Sequence, residues 1–293
     1  MHELNEIPHR RGCFTRTCGV VPALVLLLFC VSFAEEAMPL IRLIDAHTAG
    51  VIPKGHLDIE SRLYEGRTTG FLVGVAVGIT DRISMGLGYG AEGIIGRGWD
   101  PQCNPFPGCM VKYRILDENF LLPGVAIGFD YQGYGGITRH GSDNNPWGYT
   151  GYIYKSEGLF IAASKSYLLM KTIEFGFHGN VNWSLEEIGR VKWPDAWVGF
   201  DLGLSRTFST VIEYDFGLNT RDPNHGNDAY ARPWEGYLNA GVRWNFTQNF
   251  AVELDVRDAL ENRKYLADFG DPNSERILGW SRELKIVYMA PIR

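Results

Sequence analysis

Acidic and basic side chains recur at every second position along much of this chain, with apolar neighbours between them. Glu213 and Asp215 sit in Val211-Ile212-Glu213-Tyr214-Asp215-Phe216, and Glu253, Asp255 and Arg257 sit among Val252, Leu254 and Val256. Lys112, Arg114 and Arg243 have the same setting. Carboxylates two residues apart could serve acid–base chemistry, as in barrel proteases. Any polar β-wall carries such pairs, so they point to lining rather than catalysis. His178-Gly179-Asn180 comes nearest to a nucleophile site, because a histidine can act as general base for a serine. No serine stands beside it in the chain at the spacing a barrel lipase uses, so His178 reads as a lumen histidine and no catalytic residue is assigned. Gly88-Tyr89-Gly90 lacks the strand–helix context of a phosphate-binding loop. With no metal-ligand cluster in the sequence, neither a metal nor a cofactor is expected.

Cys103 and Cys109 bracket Asn104-Pro105-Phe106-Pro107-Gly108. Too few histidines or further cysteines lie nearby for a zinc site. In an oxidising compartment the spacing allows a loop-closing disulfide, favoured over two free thiols, with the geometry left open.

The elements that must position these groups are β-strands. Val73, Val75, Val77 and Ile79 alternate with Gly74, Ala76 and Gly78. Ile83, Met85, Leu87 and Tyr89 alternate with Ser84, Gly86, Gly88 and Gly90. A period of two puts the apolar members on one face. Short polar turns at Thr80-Asp81-Arg82, Asp117-Glu118-Asn119, Arg206-Thr207 and Thr247-Gln248-Asn249 fold the runs into pairs. The runs are about ten residues long, and a tilted strand of roughly 9–11 residues crosses a bilayer. Soluble sandwich strands average only about 5–6 residues. A propeller would need four short strands in each repeat of about 40–45 residues. Tyr89, Tyr113, Tyr131, Trp183, Trp244 and Tyr288 fall near strand ends on the apolar face, as interfacial girdles do.

The expected architecture is all-β: a transmembrane antiparallel up-and-down barrel of about twelve strands with both termini periplasmic. The strands are placed at 55–64, 70–79, 83–92, 109–116, 120–131, 149–165, 173–183, 195–205, 208–219, 234–246, 250–259 and 278–289. Tyr149 to Lys165 is taken as one long strand with a β-bulge at Ser156-Glu157-Gly158. Apolar faces then meet lipid, and Lys112, Arg114, Glu213, Asp215, Arg243, Glu253, Asp255 and Arg257 line the lumen. There they form either a salt-bridged, water-containing support for the wall or a charged constriction that selects a solute. The glycines at 74, 78, 86, 88 and 90 clear space on one wall for a ligand, for long side chains from opposite, or for the segment before residue 55.

The front of the chain sets the compartment. Arg10, Arg11 and Arg16 precede an apolar run from Val20 to Phe33, and Ser32-Phe33-Ala34 offers small residues for cleavage. The run is shorter than the roughly 20 apolar residues of a transmembrane helix, so residues 1–34 read as a removed signal peptide. Residues 35–54 are then a periplasmic N-terminal segment, and 55–293 the barrel. The whole chain carries 28 Lys+Arg and 34 Asp+Glu; losing three basic and two acidic residues leaves the mature protein mildly acidic. With no basic tract, nucleic acid is excluded as a partner.

Ile44-Asp45-Ala46-His47-Thr48-Ala49-Gly50, Ile52-Pro53-Lys54-Gly55, Gly78-Ile79-Thr80-Asp81-Arg82-Ile83 and Arg282-Glu283-Leu284-Lys285-Ile286-Val287-Tyr288 resemble segments of the YjbH-like bacterial outer-membrane proteins. The resemblance spans most of the mature chain and implies an outer-membrane location after export through the periplasm, with a link to exopolysaccharide production or export. Lipid, the barrel-assembly machinery during biogenesis, and a polysaccharide or small solute are the implied partners. The chain departs from many such barrels by ending Ala290-Pro291-Ile292-Arg293 rather than on an aromatic residue. Three functional classes follow: a channel or secretion barrel first, a non-conducting structural or adhesive barrel acting through its outer loops second, and a barrel lipase or protease third.

Overall fold

Each tight turn is closed by a short polar side chain that takes up backbone N–H groups, which is why turns form there. Thr80 Oγ1 accepts from the N–H groups of Arg82 and Ile83 at 3.2 and 3.0 Å. Asn119 Oδ1 accepts from Leu121 and Leu122, both at 2.9 Å. Ser205 Oγ accepts from Thr207 and Phe208, and Thr247 Oγ1 from Asn249.

In a computed structural model, these turns help join twelve antiparallel strands that close into a barrel. The structure describes residues 38–65, 69–95, 101–139, 149–169, 173–186, 193–205, 207–220, 236–262, 264–266, 275–277 and 279–292. The expected signal peptide, Arg206 of one turn, most of the expected connection 220–233 and half of 260–277 lie outside these residues. The barrel strands are β1 (His56–Glu65), β2 (Thr69–Thr80), β3 (Ile83–Ile95), β4 (Gly108–Leu116), β5 (Gly124–Asp130) and β6 (Gly158–Leu169). They continue as β7 (Ile173–Trp183), β8 (Asp195–Gly203), β9 (Phe208–Asp215), β10 (Tyr237–Asn245), β11 (Phe250–Arg257) and β12 (Ser281–Pro291). Each pairs with its neighbours in sequence, and β1 pairs with β12 from His56↔Pro291 to Glu65↔Arg282, closing the ring. The start of β1 and the end of β12 therefore share a mouth with the tight turns.

Alternation holds around the ring. Val75, Ile79, Met85, Leu87, Ile127, Ile161, Phe177, Val181, Val242 and Leu254 face outward and are exposed, while Ser84, Lys112, Glu213, Glu253 and Lys285 face inward and are buried. An exposed apolar band on a closed barrel, over a buried charged interior, inverts the arrangement of a soluble protein and suits lipid. Of the expected girdle, Tyr89, Tyr113, Trp183 and Tyr288 are exposed on that outer face.

Three expectations need correcting. Tyr149 to Lys165 is not one strand. Tyr149–Tyr154 pairs with Tyr134–Arg139 in a separate hairpin, and β6 begins at Gly158, whose φ of 69° is a left-handed turn that breaks the run. The turn after β4 is longer than expected, so β5 starts at Gly124 rather than 120, behind Pro123, which has no N–H to donate. The two cysteines are unbonded and exposed. Cys103 pairs opposite Ala91 and Cys109 opposite Leu87, both across from β3. Those partners are four residues apart, about 13 Å along a strand, whereas a disulfide needs Cα atoms within roughly 7 Å. Both thiols should therefore react with a maleimide in the native protein without reductant, read as two added labels by mass spectrometry. A mass two hydrogens short with no labelling would show a bond instead.

Candidate functional site

The barrel interior is filled from within the chain. Residues 38–54, expected as a periplasmic segment, run inside the wall, and Leu43, Ile44, Ala46, His47, Thr48, Ala49, Val51 and Ile52 are buried there. Ile41 to Thr48 fold as a tight hairpin: Leu43 donates to the Ala46 carbonyl at 2.8 Å, Thr48 donates to Ile41 at 3.2 Å, and Arg42 and His47 form a bridge. Too short to satisfy its own backbone, the hairpin leaves N–H and C=O groups that the wall must meet.

The inward charges do this. Glu213 accepts from the N–H groups of Ile44, Asp45 and Ala46 at 3.2, 3.0 and 2.8 Å. Lys112 Nζ donates to the carbonyls of Ile41, Thr48 and Gly50 at 2.8, 3.2 and 2.9 Å. Lys285 Nζ reaches the Ile44 carbonyl at 3.2 Å while pairing with Glu253 at 2.5 Å. Glu157 and Ser84 accept from His47 and Ile52. Hydrogen bonds with one charged partner contribute roughly 1.5–3 kcal/mol each, so these are the strongest ties available.

The hairpin's own charges are met in turn. Asp45 at the tip lies 3.1 Å from Arg62 and 2.9 Å from Arg257, and Arg257 also pairs with Glu283 at 2.5 Å. Burial would raise the Asp45 pKa, but Arg257 and Arg62 outweigh it and hold the carboxyl down at about 2. Arg42 pairs with Asp130 at 2.7 Å. The His47 ring stacks on Phe160 at 4.4 Å between centroids, with Nε2 2.9 Å from Asp130. Burial, then Arg42 and Lys112, push the His47 pKa well below its ordinary value, so the ring is neutral at pH 7.

Of the eight expected lining residues, Lys112, Glu213, Asp215, Arg243, Glu253, Asp255 and Arg257 are buried inside. Arg114 lies at the turn-side mouth, paired with Asp117 at 3.0 Å and donating to the Asp81 carbonyl. Lys112, Glu213 and Arg257 hold the hairpin directly, while Glu253 acts through Lys285. Among the glycines, Gly78 makes room for the inner segment, since a Cβ there would strike the carbonyls of Ile52 and Pro53. Gly88 instead leaves space for Gln132.

Two regions flank the hairpin. Towards the tight-turn mouth opens a vestibule of about 760 Å³, lined by Met38, Leu40, Ala49, Arg114, Glu118, Ser164, His178, Asp201 and Arg243 among others. Towards the other mouth the cavities shrink to about 80 and 40 Å³. There Tyr134 stacks on Tyr154 at 4.6 Å, with the Arg257 guanidinium 4.5 Å from the Tyr134 ring centre. His178 faces the lumen, as expected, and is buried. Its cross-strand neighbour is Ser164, with Oγ 2.8 Å from Nδ1. The two residues stand 14 positions apart in the chain, and the antiparallel register of β6 and β7 sets them opposite each other.

No family model matches the chain, and no curated protein matches it. Among solved structures it is similar to the KdgM porin, at 6% identity over 79% of this chain and 98% of that one, with a TM-score of 0.41. It is also similar to the NanC porin, at 11% identity over 80% and 98%, TM-score 0.40. The outer membrane protein Omp33 of Acinetobacter baumannii is matched at 8% identity over 82% and 99%, TM-score 0.40.

Proposed function

We propose that this protein is a channel of the bacterial outer membrane whose resting state is closed by its own N-terminal hairpin. The observation that carries the reading is how the hairpin is held. Its backbone is tied to Glu213 and Lys112, and its tip to Arg62 and Arg257, through polar contacts that water can replace. Once the hairpin leaves, the same charges line a wetted lumen. The aromatic closure at the far mouth rests on the tip too, because Arg257 packs on Tyr134 and Tyr154 while pairing with Asp45. With both termini periplasmic, the vestibule faces the periplasm, and a pull on the N-terminal side opens the path. The resemblance to YjbH-like proteins favours exopolysaccharide as the cargo, with a small solute as the simpler choice.

The filled interior also supports a second reading, a non-conducting barrel that works through its outer loops. Conductance separates the two. In a planar bilayer the refolded protein should be nearly silent, and deletion of residues 41–48 should give a steady current. Silence from a folded, inserted deletion variant would exclude the channel and leave the structural reading.

A further inference from the structure

Three inward side chains on three adjacent strands meet on the vestibule wall. The register sets His178 of β7 opposite Ser164 of β6, and Gly176 of β7 opposite Asp201 of β8. Ser164 Oγ lies 2.8 Å from His178 Nδ1, and His178 Nε2 lies 2.7 Å from Asp201 Oδ1. Gly176 makes this possible, because a Cβ there would collide with the Asp201 carboxylate and crowd Nε2. The carboxylate fixes the ring proton on Nε2, which leaves the Nδ1 lone pair facing the serine hydroxyl. That polarity activates a serine, and such sites are recognised by geometry and roles rather than by sequence order. Here Nδ1 rather than Nε2 faces the nucleophile, and either imidazole nitrogen can take the proton.

We propose that Ser164, His178 and Asp201 form a serine nucleophile site that cleaves carboxylic esters bound in the vestibule. The cavity joins apolar Met38, Leu40 and Leu168 to polar Arg114 and Ser166, which suits an acyl group esterified to a polar alcohol. Ser164 Oγ attacks the ester carbonyl carbon while its proton passes to His178 Nδ1. The carbon–oxygen bond to the alcohol breaks, and the departing oxygen takes that proton. Water then loses a proton to Nδ1 and attacks the acyl carbon, the serine oxygen leaves and regains the proton, and a carboxylic acid is released. Asp201 is the positioning residue that holds the ring and stabilises its charged form. The Ala49 N–H donates to Ser164 Oγ at 2.9 Å and fixes where the nucleophile sits. The hairpin is thereby part of the site. This activity is independent of whether the barrel conducts.

The test treats the refolded protein in micelles with a fluorophosphonate probe and with a p-nitrophenyl ester of a short acyl chain. Tandem mass spectrometry should find a single adduct, on Ser164. His178→Gln should slow both labelling and hydrolysis by roughly 10²–10⁴-fold. Asp201→Asn should have a smaller effect and move the pH profile of the rate, which a merely structural carboxylate would not do. Heat-modifiable gel mobility checks that each variant is folded. If Ser164→Ala does not fold, Ser164→Cys serves: its iodoacetamide rate should exceed that of Cys109 and fall in the His178→Gln background. A folded protein that takes no adduct at Ser164, or labelling indifferent to His178, would overturn the assignment.

Discussion

Exchanging Asp45 for lysine should expel the hairpin from the barrel. Its carboxylate sits between two guanidiniums, Arg62 and Arg257, whose other carboxylate partners, Glu60 and Glu283, lie on the wall rather than on the hairpin. Removing one partner of a buried ion pair costs roughly 3–5 kcal/mol, and a third cation adds repulsion. At about 1.4 kcal/mol per factor of ten, docking should weaken by at least two to three orders of magnitude. The readout is a cysteine at Ala46, which is buried in the docked state, with Cys103 and Cys109 changed to serine. Maleimide labelling of Ala46→Cys should be slow alone and approach the rate of a free thiol once Asp45→Lys is added. Equal rates in the two backgrounds would show that the tip pairs do not hold the hairpin.

The second large effect concerns the outer wall. Leu254 is 62% exposed at the middle of β11 and faces away from Glu253 and Asp255. An arginine facing lipid near mid-depth costs roughly 2–4 kcal/mol. Leu254→Arg should therefore cut the folded, heat-modifiable fraction in lipid vesicles several-fold or more. Ser209→Arg, which points into the vestibule instead, should fold like the parent. If the two variants insert equally well, the outward face of β11 does not meet lipid.

Strand existence, facing and number were readable from the sequence because they depend on a two-residue period and on local turn chemistry. β7 occupies the residues expected of it, and most other strands differ by one to four residues at an end. Where local signals conflicted, the reading failed. Ser156-Glu157-Gly158 reads as a bulge because the phase of alternation shifts there, yet the Glu186 carboxylate takes up the Ser156 N–H and Gly158 turns left-handed. The expected disulfide rests on spacing and on an oxidising compartment, whereas pairing along β3 decides how far apart Cys103 and Cys109 lie.

The hairpin was the least legible element. Its partners sit 17 to 242 residues away, on strands from β1 to β12. The chain does carry a hint: Asp45 is a lone acid in an apolar stretch, and Gly78 clears a wall the segment must pass. Neither says which wall charge meets which backbone group. The Ser164–His178–Asp201 chain is half legible, since alternation shows the strands while the cross-strand register that pairs their side chains has no local signal.

The hairpin and the wall are one molecule, joined through the few residues between Thr48 and β1. The hairpin is thus a tethered ligand, present at an effective concentration of order millimolar for a short linker, whatever the protein concentration. Dilution cannot wash it out, and a transient opening reseals on its own. A soluble competitor for Glu213 or the Arg62–Arg257 pair must outbid that local concentration to hold the lumen open. Grip on the segment itself, by contrast, acts on the tether directly. Sustained opening therefore calls for a partner that seizes the hairpin rather than one that merely mimics it.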